Sequence, residues 1–166
     1  MVDVFQMREE QWQRVRAIRL RALQDTPDAF GTTFETEARR LADQWIERLT
    51  SDDRVTFIAQ LDGKDVGLIA CAPYNGADVA GLFSMWTAPE ARKLGVGSRL
   101  VETVVMWAAS KGYRTVALDV ANTNIAAIAL YEKFGFRPTG HTGTLPPPRT
   151  HIKEHRRELQ LAAPRP

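Results

Sequence analysis

Two short stretches of this chain carry residue types whose spacing could do chemistry. The first is Arg92-Lys93-Leu94-Gly95-Val96-Gly97-Ser98, which stands ahead of an apolar helical period. Gly95 and Gly97 remove side chains where a backbone must approach a ligand closely. A helix that starts there leaves amide hydrogens without internal partners at the positive end of its dipole, a seat suited to a pyrophosphate. Arg92 and Lys93 add positive charge, and Ser98 adds a hydroxyl. Taken alone, the segment reads equally well as a solvated turn. It lacks the Gly-Lys-Ser/Thr ending of a nucleotide-binding loop and the third glycine of a dinucleotide fingerprint.

The second stretch runs from Leu118 through Asp119, Asn124, Ala127 and Tyr131 to Gly135-Phe136. Asn124 and Tyr131 are seven residues apart, two turns of helix, so they share a face. Ala127 lies between them and leaves room for a slender ligand arm, which would meet an amide at one end and a phenol at the other. Gly135 permits the left-handed residue that stops the helix.

Together these stretches are similar to the two signature motifs of the GCN5-related N-acetyltransferases. Arg92-Lys93-Leu94-Gly95-Val96-Gly97 resembles the family's Arg/Gln-x-x-Gly-x-Gly/Ala loop, with Lys93 where many members have glycine. Asn124-x-x-Ala127-x-x-Leu130-Tyr131-x-x-x-Gly135-Phe136 resembles the family's second run. The resemblance implies acetyl-CoA as cosubstrate, with no metal. It implies that residues 92–98 hold the pyrophosphate and that Asn124, Ala127 and Tyr131 line the pantetheine arm. The backbones of Met85, Trp86 and Thr87 would pair with that arm as an added strand. The product is an amide of a primary amine, on a small molecule or a peptide. A silent acyl-CoA sensor and a protein N-terminal or lysine acetylase are the alternatives.

Within that reading, the sulfur leaving the thioester carries developing negative charge. A thiol has a pKa near ~8.5 and a tyrosine hydroxyl near ~10, so Tyr131 stays protonated and can act as general acid. A tyrosine that merely packs its helix is the other reading. No carboxylate stands in Leu82-Phe83-Ser84-Met85, where many relatives keep a base. Other relatives carry a glutamate five residues before the asparagine, and Asp119 occupies that place, though it could equally bond nearby backbone. For the acceptor, Phe30 and Phe34 could line an apolar slot and Glu35 could attract a cationic amine. Glu35 also suits the first turn of a helix for its own sake. His151 and His155 do not make a metal site, because zinc needs three or four ligands.

The elements that must position these residues follow from periodicity. Strands are predicted over 2–6, 55–61, 65–72, 80–87, 114–120, 136–139 and 155–161. Helices are predicted over 9–24, 35–49, 97–110 and 124–134. The order is that of a mixed α/β (α+β) acyl-CoA N-acyltransferase fold. Its expected core is a seven-stranded, mostly antiparallel sheet flanked by about four helices. Residues 1–161 read as one N-acetyltransferase domain and 162–166 as a frayed tail.

Composition narrows the classes further. The chain has 166 residues, 44% apolar and 25% charged, with a net charge of only +2. No chain-wide attraction to nucleic acid or an anionic membrane is indicated. Cys71 is the single cysteine, so no intrachain disulfide is possible, and it reads as a buried thiol. No run approaches the ~18 apolar residues that a membrane helix needs. Met1 to Gln13 does not read as a signal peptide, so the expected compartment is the cytoplasm. The resemblance leaves a homodimer open.

Overall fold

The strand periods of the sequence come together in one mixed sheet. The structure is a computed structural model that describes residues 1–162. Its strands are β1 (Val2–Gln6), β2 (Val55–Leu61), β3 (Lys64–Pro73), β4 (Val79–Thr87), β5 (Thr115–Ala121), β6 (Arg137–Thr144) and β7 (Lys153–Gln160). Its helices are α1 (Trp12–Asp25), α2 (Phe34–Ala38), α3 (Ala42–Thr50), α4 (Val96–Ser110) and α5 (Ile125–Lys133). The seven strands lie in the order β1-β2-β3-β4-β5-β7-β6. Only β4 and β5 pair in parallel; the other neighbours are antiparallel. The expected fold class is the observed one.

Two helices clamp the middle of the sheet from opposite faces. α4 buries Val96, Leu100, Val101, Val104 and Ala108, an apolar stripe at helical spacing. It lies so close that a Cβ at Gly67 would stand 2.8 Å from both Leu100 and Val96. α1 buries Val15, Ile18, Ala22 and Leu23. It covers the face that carries Trp86, whose indole N–H donates to Asp25 at its C-terminal end (3.0 Å). Each buried aliphatic side chain contributes roughly 1.5–3 kcal/mol. Cys71 is fully buried between these layers, and burial pushes its thiol up to about 12, which makes it inert.

The helix expected over 35–49 is divided, so the described residues hold five helices rather than four. A continuous helix would bond the Leu41 amide to the Glu37 carbonyl. Instead the Arg40 amide takes that carbonyl (3.1 Å), and the Leu41 amide donates to the Gln44 side chain (2.8 Å). Leu41 turns extended (ψ 163°) and the chain restarts as α3. Leu41 is exposed, and the buried Trp45 anchors α3. β6 runs to Thr144 rather than stopping at 139, and each of its residues is exposed. An edge strand with no buried face has no apolar alternation to read. β7 begins two residues earlier than expected, at Lys153. Of the tail expected over 162–166, only Ala162 falls within the described residues.

Candidate active site

The site is built where two parallel strands stop being paired. β4 and β5 are in register at Val79↔Thr115, Ala80↔Val116 and Gly81↔Ala117, and their pairing ends there. Beyond that point β4 still pairs with β3, and β5 with β7. Their inner edges therefore face each other with free backbone groups. A bulge bends β4 at the parting: its register with β3 slips between Leu68↔Trp86 and Ala70↔Phe83. Ser84 sits in the bulge with a left-handed backbone (φ 60°), a costly conformation for a residue with a side chain. A cleft of about 960 Å³ opens at the parting and runs beneath α1.

One wall of the cleft is backbone. The first helical bond of α4 joins the Arg99 amide to the Gly95 carbonyl (3.1 Å). The amides of Val96, Gly97 and Ser98 thus have no partner within the helix and point out of its N-terminus. The loop before them turns through Lys93 (φ 65°) and Gly95 (φ 86°), both left-handed. Gly95 is needed for that conformation, since a Cβ there would touch nothing within 4 Å. Gly97 also meets a packing demand. A Cβ there would lie 2.9 Å from Met85 Cε and 3.0 Å from Leu130 Cδ2, so it lets α4 pack on β4 and α5. Beside it the Thr87 hydroxyl is buried without a partner.

Arg92, expected on the phosphates, lines the cleft with its guanidinium already bonded to protein. It donates to Asp25 (2.6 Å) and to the Thr87 carbonyl (3.1 Å), clipping the end of α1 to the end of β4. Lys93 is exposed and lines the cleft, Leu94 is exposed but falls outside its lining, Val96 is buried and Ser98 is half-buried.

α5 brings the phenol. Tyr131 is 5% exposed, its ring centroid 5.7 Å from that of Phe136, and it lines the cleft. Burial pushes its hydroxyl well above the ordinary tyrosine value, so it is protonated at neutral pH. Asn124 is the cap of α5: its side-chain oxygen accepts from the Ala127 amide (3.3 Å). Both also line the cleft. Gly135 turns left-handed (φ 94°) just past the helix, as expected.

An acidic pair stands across from α5, on the α1 face of the sheet. Asp119 is exposed on β5 and paired with Arg156 of β7. Its carboxylate accepts from the Tyr74 hydroxyl (2.6 Å) and from Arg156 (3.4 Å), so neither oxygen is bonded to nearby backbone. Burial, together with the Asp119 charge, pushes the Tyr74 hydroxyl up to about 12. Glu154, which the sequence reading missed, is paired with Ala121 and lines the same cleft. Burial, reinforced by the charge of Asp119 and opposed by Arg149, raises its carboxyl above the usual range. Nothing in Lys153-Glu154-His155 marks it locally; only the β5–β7 register brings it there.

The remaining wall is made of side chains from α1, α2, α3 and β2. Phe30 is buried and lies under the Arg19 guanidinium (4.9 Å to the ring centre). Arg19 also donates to the Ser84 hydroxyl at the bulge (2.7 Å) and to Glu37 (3.3 Å). Glu37 is 1% exposed and further accepts from Arg40 and from both terminal nitrogens of Arg48. Burial alone would raise its carboxyl, but the bonds from Arg48 and Arg40 and the charge of Arg19 outweigh it and hold it below the ordinary range. Phe34 and Glu35, expected here, fall outside this cleft and line a neighbouring depression with Arg149. Arg149 closes the loop over the cleft, donating to the carbonyls of Pro27 (2.7 Å) and Phe30 (3.0 Å).

Among the described residues no group of three or more His, Cys, Asp or Glu is placed to hold a metal ion. Both ring nitrogens of His155 are already bonded, to Asn122 (2.7 Å) and Arg157 (2.9 Å). No helix among the described residues is long and apolar enough to cross a membrane.

Comparison with known proteins agrees with this architecture. A sequence model of the acetyltransferase (GNAT) family matches residues 12–136. "Probable N-acetyltransferase camello" of Xenopus laevis is 34% identical over 90 residues, which is 54% of this chain and 41% of that protein. Human "N-acetyltransferase 8" is 31% identical over 90 residues, 52% of this chain and 40% of that protein. The match thus spans about two fifths of the length of these relatives. The crystal structure of an N-acetyltransferase from Staphylococcus aureus superposes with a TM-score of 0.79 at 22% identity, covering 98% of this chain and 99% of that one.

Proposed function

We propose, since this chain belongs to the acetyltransferase (GNAT) family, that it transfers the acetyl group of acetyl-CoA to the primary amine of a small molecule or peptide. Residues 1–161 act as one catalytic unit in this reading. The observation that carries it is the parting of β4 and β5 directly between the free amides of α4 and the buried hydroxyl of Tyr131. The residues fit the coenzyme. The amides of Val96, Gly97 and Ser98 would hold its diphosphate, assisted by Lys93. The free edge of Met85, Trp86 and Thr87 would pair with its pantetheine arm, with Asn124 and Ala127 on the far side. The coenzyme supplies an activated acyl group; the protein supplies alignment and proton traffic.

The acceptor nitrogen forms its bond to the acetyl carbon as the carbon–sulfur bond breaks. Tyr131 donates its proton to the departing sulfur, and Glu154 receives the proton that the nitrogen loses. In sum, one proton passes from nitrogen to sulfur. Glu154 suits this task because its proton affinity is raised, and Asp119 beside it raises that affinity.

Calorimetry with coenzyme A, followed by thiol release with acetyl-CoA and a panel of amines and peptides, tests the reading. We expect binding, turnover with at least one amine, and a fall in kcat of about 10²–10⁴ for Tyr131→Phe with coenzyme affinity retained. Absence of coenzyme binding would overturn the reading. Binding without thiol release would favour the sensor instead.

A further inference from the structure

The two walls of the cleft on the α1 face carry opposite charge. Asp119 and Glu154 stand on β5 and β7. Opposite them Arg19, Arg40, Arg48 and Arg54 line the same cavity with Glu37 as the carboxylate between them. Positive charge is therefore in excess on that wall. Asp53, the other carboxylate near Arg54, is exposed and does not line the cavity.

These arginines are not equally occupied. Glu37 takes both terminal nitrogens of Arg48 and one bond each from Arg19 and Arg40. Arg54 is half-buried and, among the described residues, bonds to no side chain or carbonyl. Burial and the charge of Arg48 beside it depress its pKa by more than the charges of Asp53 and Glu37 raise it. Trp45, 1% exposed and under the Arg48 guanidinium, also lines this wall, and its indole N–H has no partner. Arg19 ties the basic wall to the Ser84 bulge, so the positive charge reaches the point where β4 and β5 part.

From this geometry we infer that the acceptor is an amine that also carries an oxyanion, a carboxylate or a phosphate, held by Arg54 with Arg19 and Arg40 while its amine faces Glu154 and Asp119. Guanidinium groups pair with such oxyanions through parallel charged bonds. A polycationic acceptor, such as a polyamine, an aminoglycoside or a lysine-rich tail, would meet like charge on the basic wall. Phe30 and Leu49 supply apolar surface for the body of the acceptor. The inference rests on the amine acetyltransferase reading above.

The test uses matched sets at several chain lengths: an amino acid, the amine left when its carboxylate is removed, and the corresponding aminophosphonate. Thiol release from acetyl-CoA is measured with the full chain, and coenzyme A binding by calorimetry beforehand. The acid-bearing member of a set should exceed its decarboxylated partner in kcat/KM by about 10–100-fold, the scale of a charge-assisted bond. Carboxylate against phosphonate preference then identifies the oxyanion. Arg54→Gln should narrow the ratio mainly through KM for the acid, and Arg54→Lys should restore part of it. Equal or better use of the decarboxylated amines, or no transfer to any member while another amine or peptide of the panel is acetylated, overturns this inference alone. Failure to bind coenzyme overturns the parent reading with it.

Discussion

The two ends of the cleft are made of different material. The end proposed for the coenzyme is backbone: free amides of Val96 to Ser98 and the unpaired edges of β4 and β5. The end proposed for the acceptor is side chain: Arg19, Glu37 and Arg48, drawn from α1, α2 and α3, and Arg54 just before β2. Backbone recognition demands a local conformation, and so a contiguous run of particular residues. Side-chain recognition demands only that distant positions converge, and those positions can change without disturbing the frame. One frame can thus hold a constant coenzyme while its acceptor varies.

The largest effect that could break this comparison concerns the acidic wall, where the two ends meet. Glu154 holds its proton to higher pH than an ordinary carboxylate, because of burial and Asp119, with Arg149 opposing. Activity that needs its ionised form therefore rises with pH above the usual carboxylate range. Glu154→Gln should remove the acidic limb of kcat/KM and lower the plateau by about 10²-fold or more. Asp119→Asn should instead keep the limb and move it to lower pH, because the charge that raises Glu154 is gone. A pH profile in which Asp119→Asn abolishes the limb, and Glu154→Gln leaves it, would make Asp119 the base.

A smaller effect separates the ends by stability. Glu37→Ala leaves Arg19, Arg40 and Arg48 facing one another without their carboxylate. Removing one partner from a buried ion cluster costs about 3 kcal/mol, less where the arginines can turn to solvent. Thermal unfolding should show that loss, while coenzyme A affinity measured below the transition stays close to that of the parent chain. The native contribution of Glu37 is present above the unfolded carboxylate pKa and fades as pH falls through its depressed folded value. The stability gap between the two proteins should accordingly close in acid. A coenzyme affinity that falls in step with stability would show that the ends are not independent.

The same contrast explains what could be read from the sequence. Gly95, Gly97, Asn124 and Tyr131 lie in two contiguous motifs and line the same cleft, because a turn or a short helix sets each position. The seven strands were legible wherever one face is buried, and β6 was misjudged in length because neither face is. Glu37 was hidden in what read as the first turn of an ordinary helix, since its burial depends on arginines as distant as Arg19 and Arg48. Arg92 was assigned by its place in a motif, whereas its partner Asp25 is 67 residues away. Glu154 depended on a strand register that no local pattern announces.

The smallest predicted effect isolates conformation within the coenzyme end. Lys93 holds a left-handed backbone (φ 65°) that costs a residue with a Cβ about 1 kcal/mol or more. Glycine relieves that cost but loses more entropy on folding, by about 0.4–1 kcal/mol. Lys93→Gly should therefore change stability by less than about 1 kcal/mol, most plainly as a melting temperature within about 4 °C of the parent. Its effect on coenzyme binding has two parts, a removed charge and an eased turn. Lys93→Ala removes the same charge but keeps the strain, so the difference between the two variants is the conformational share. If the diphosphate is held chiefly by amides, both should bind coenzyme A with a modest, salt-dependent loss. A large loss that persists at high salt would mean that the lysine side chain, and not the backbone, does the holding.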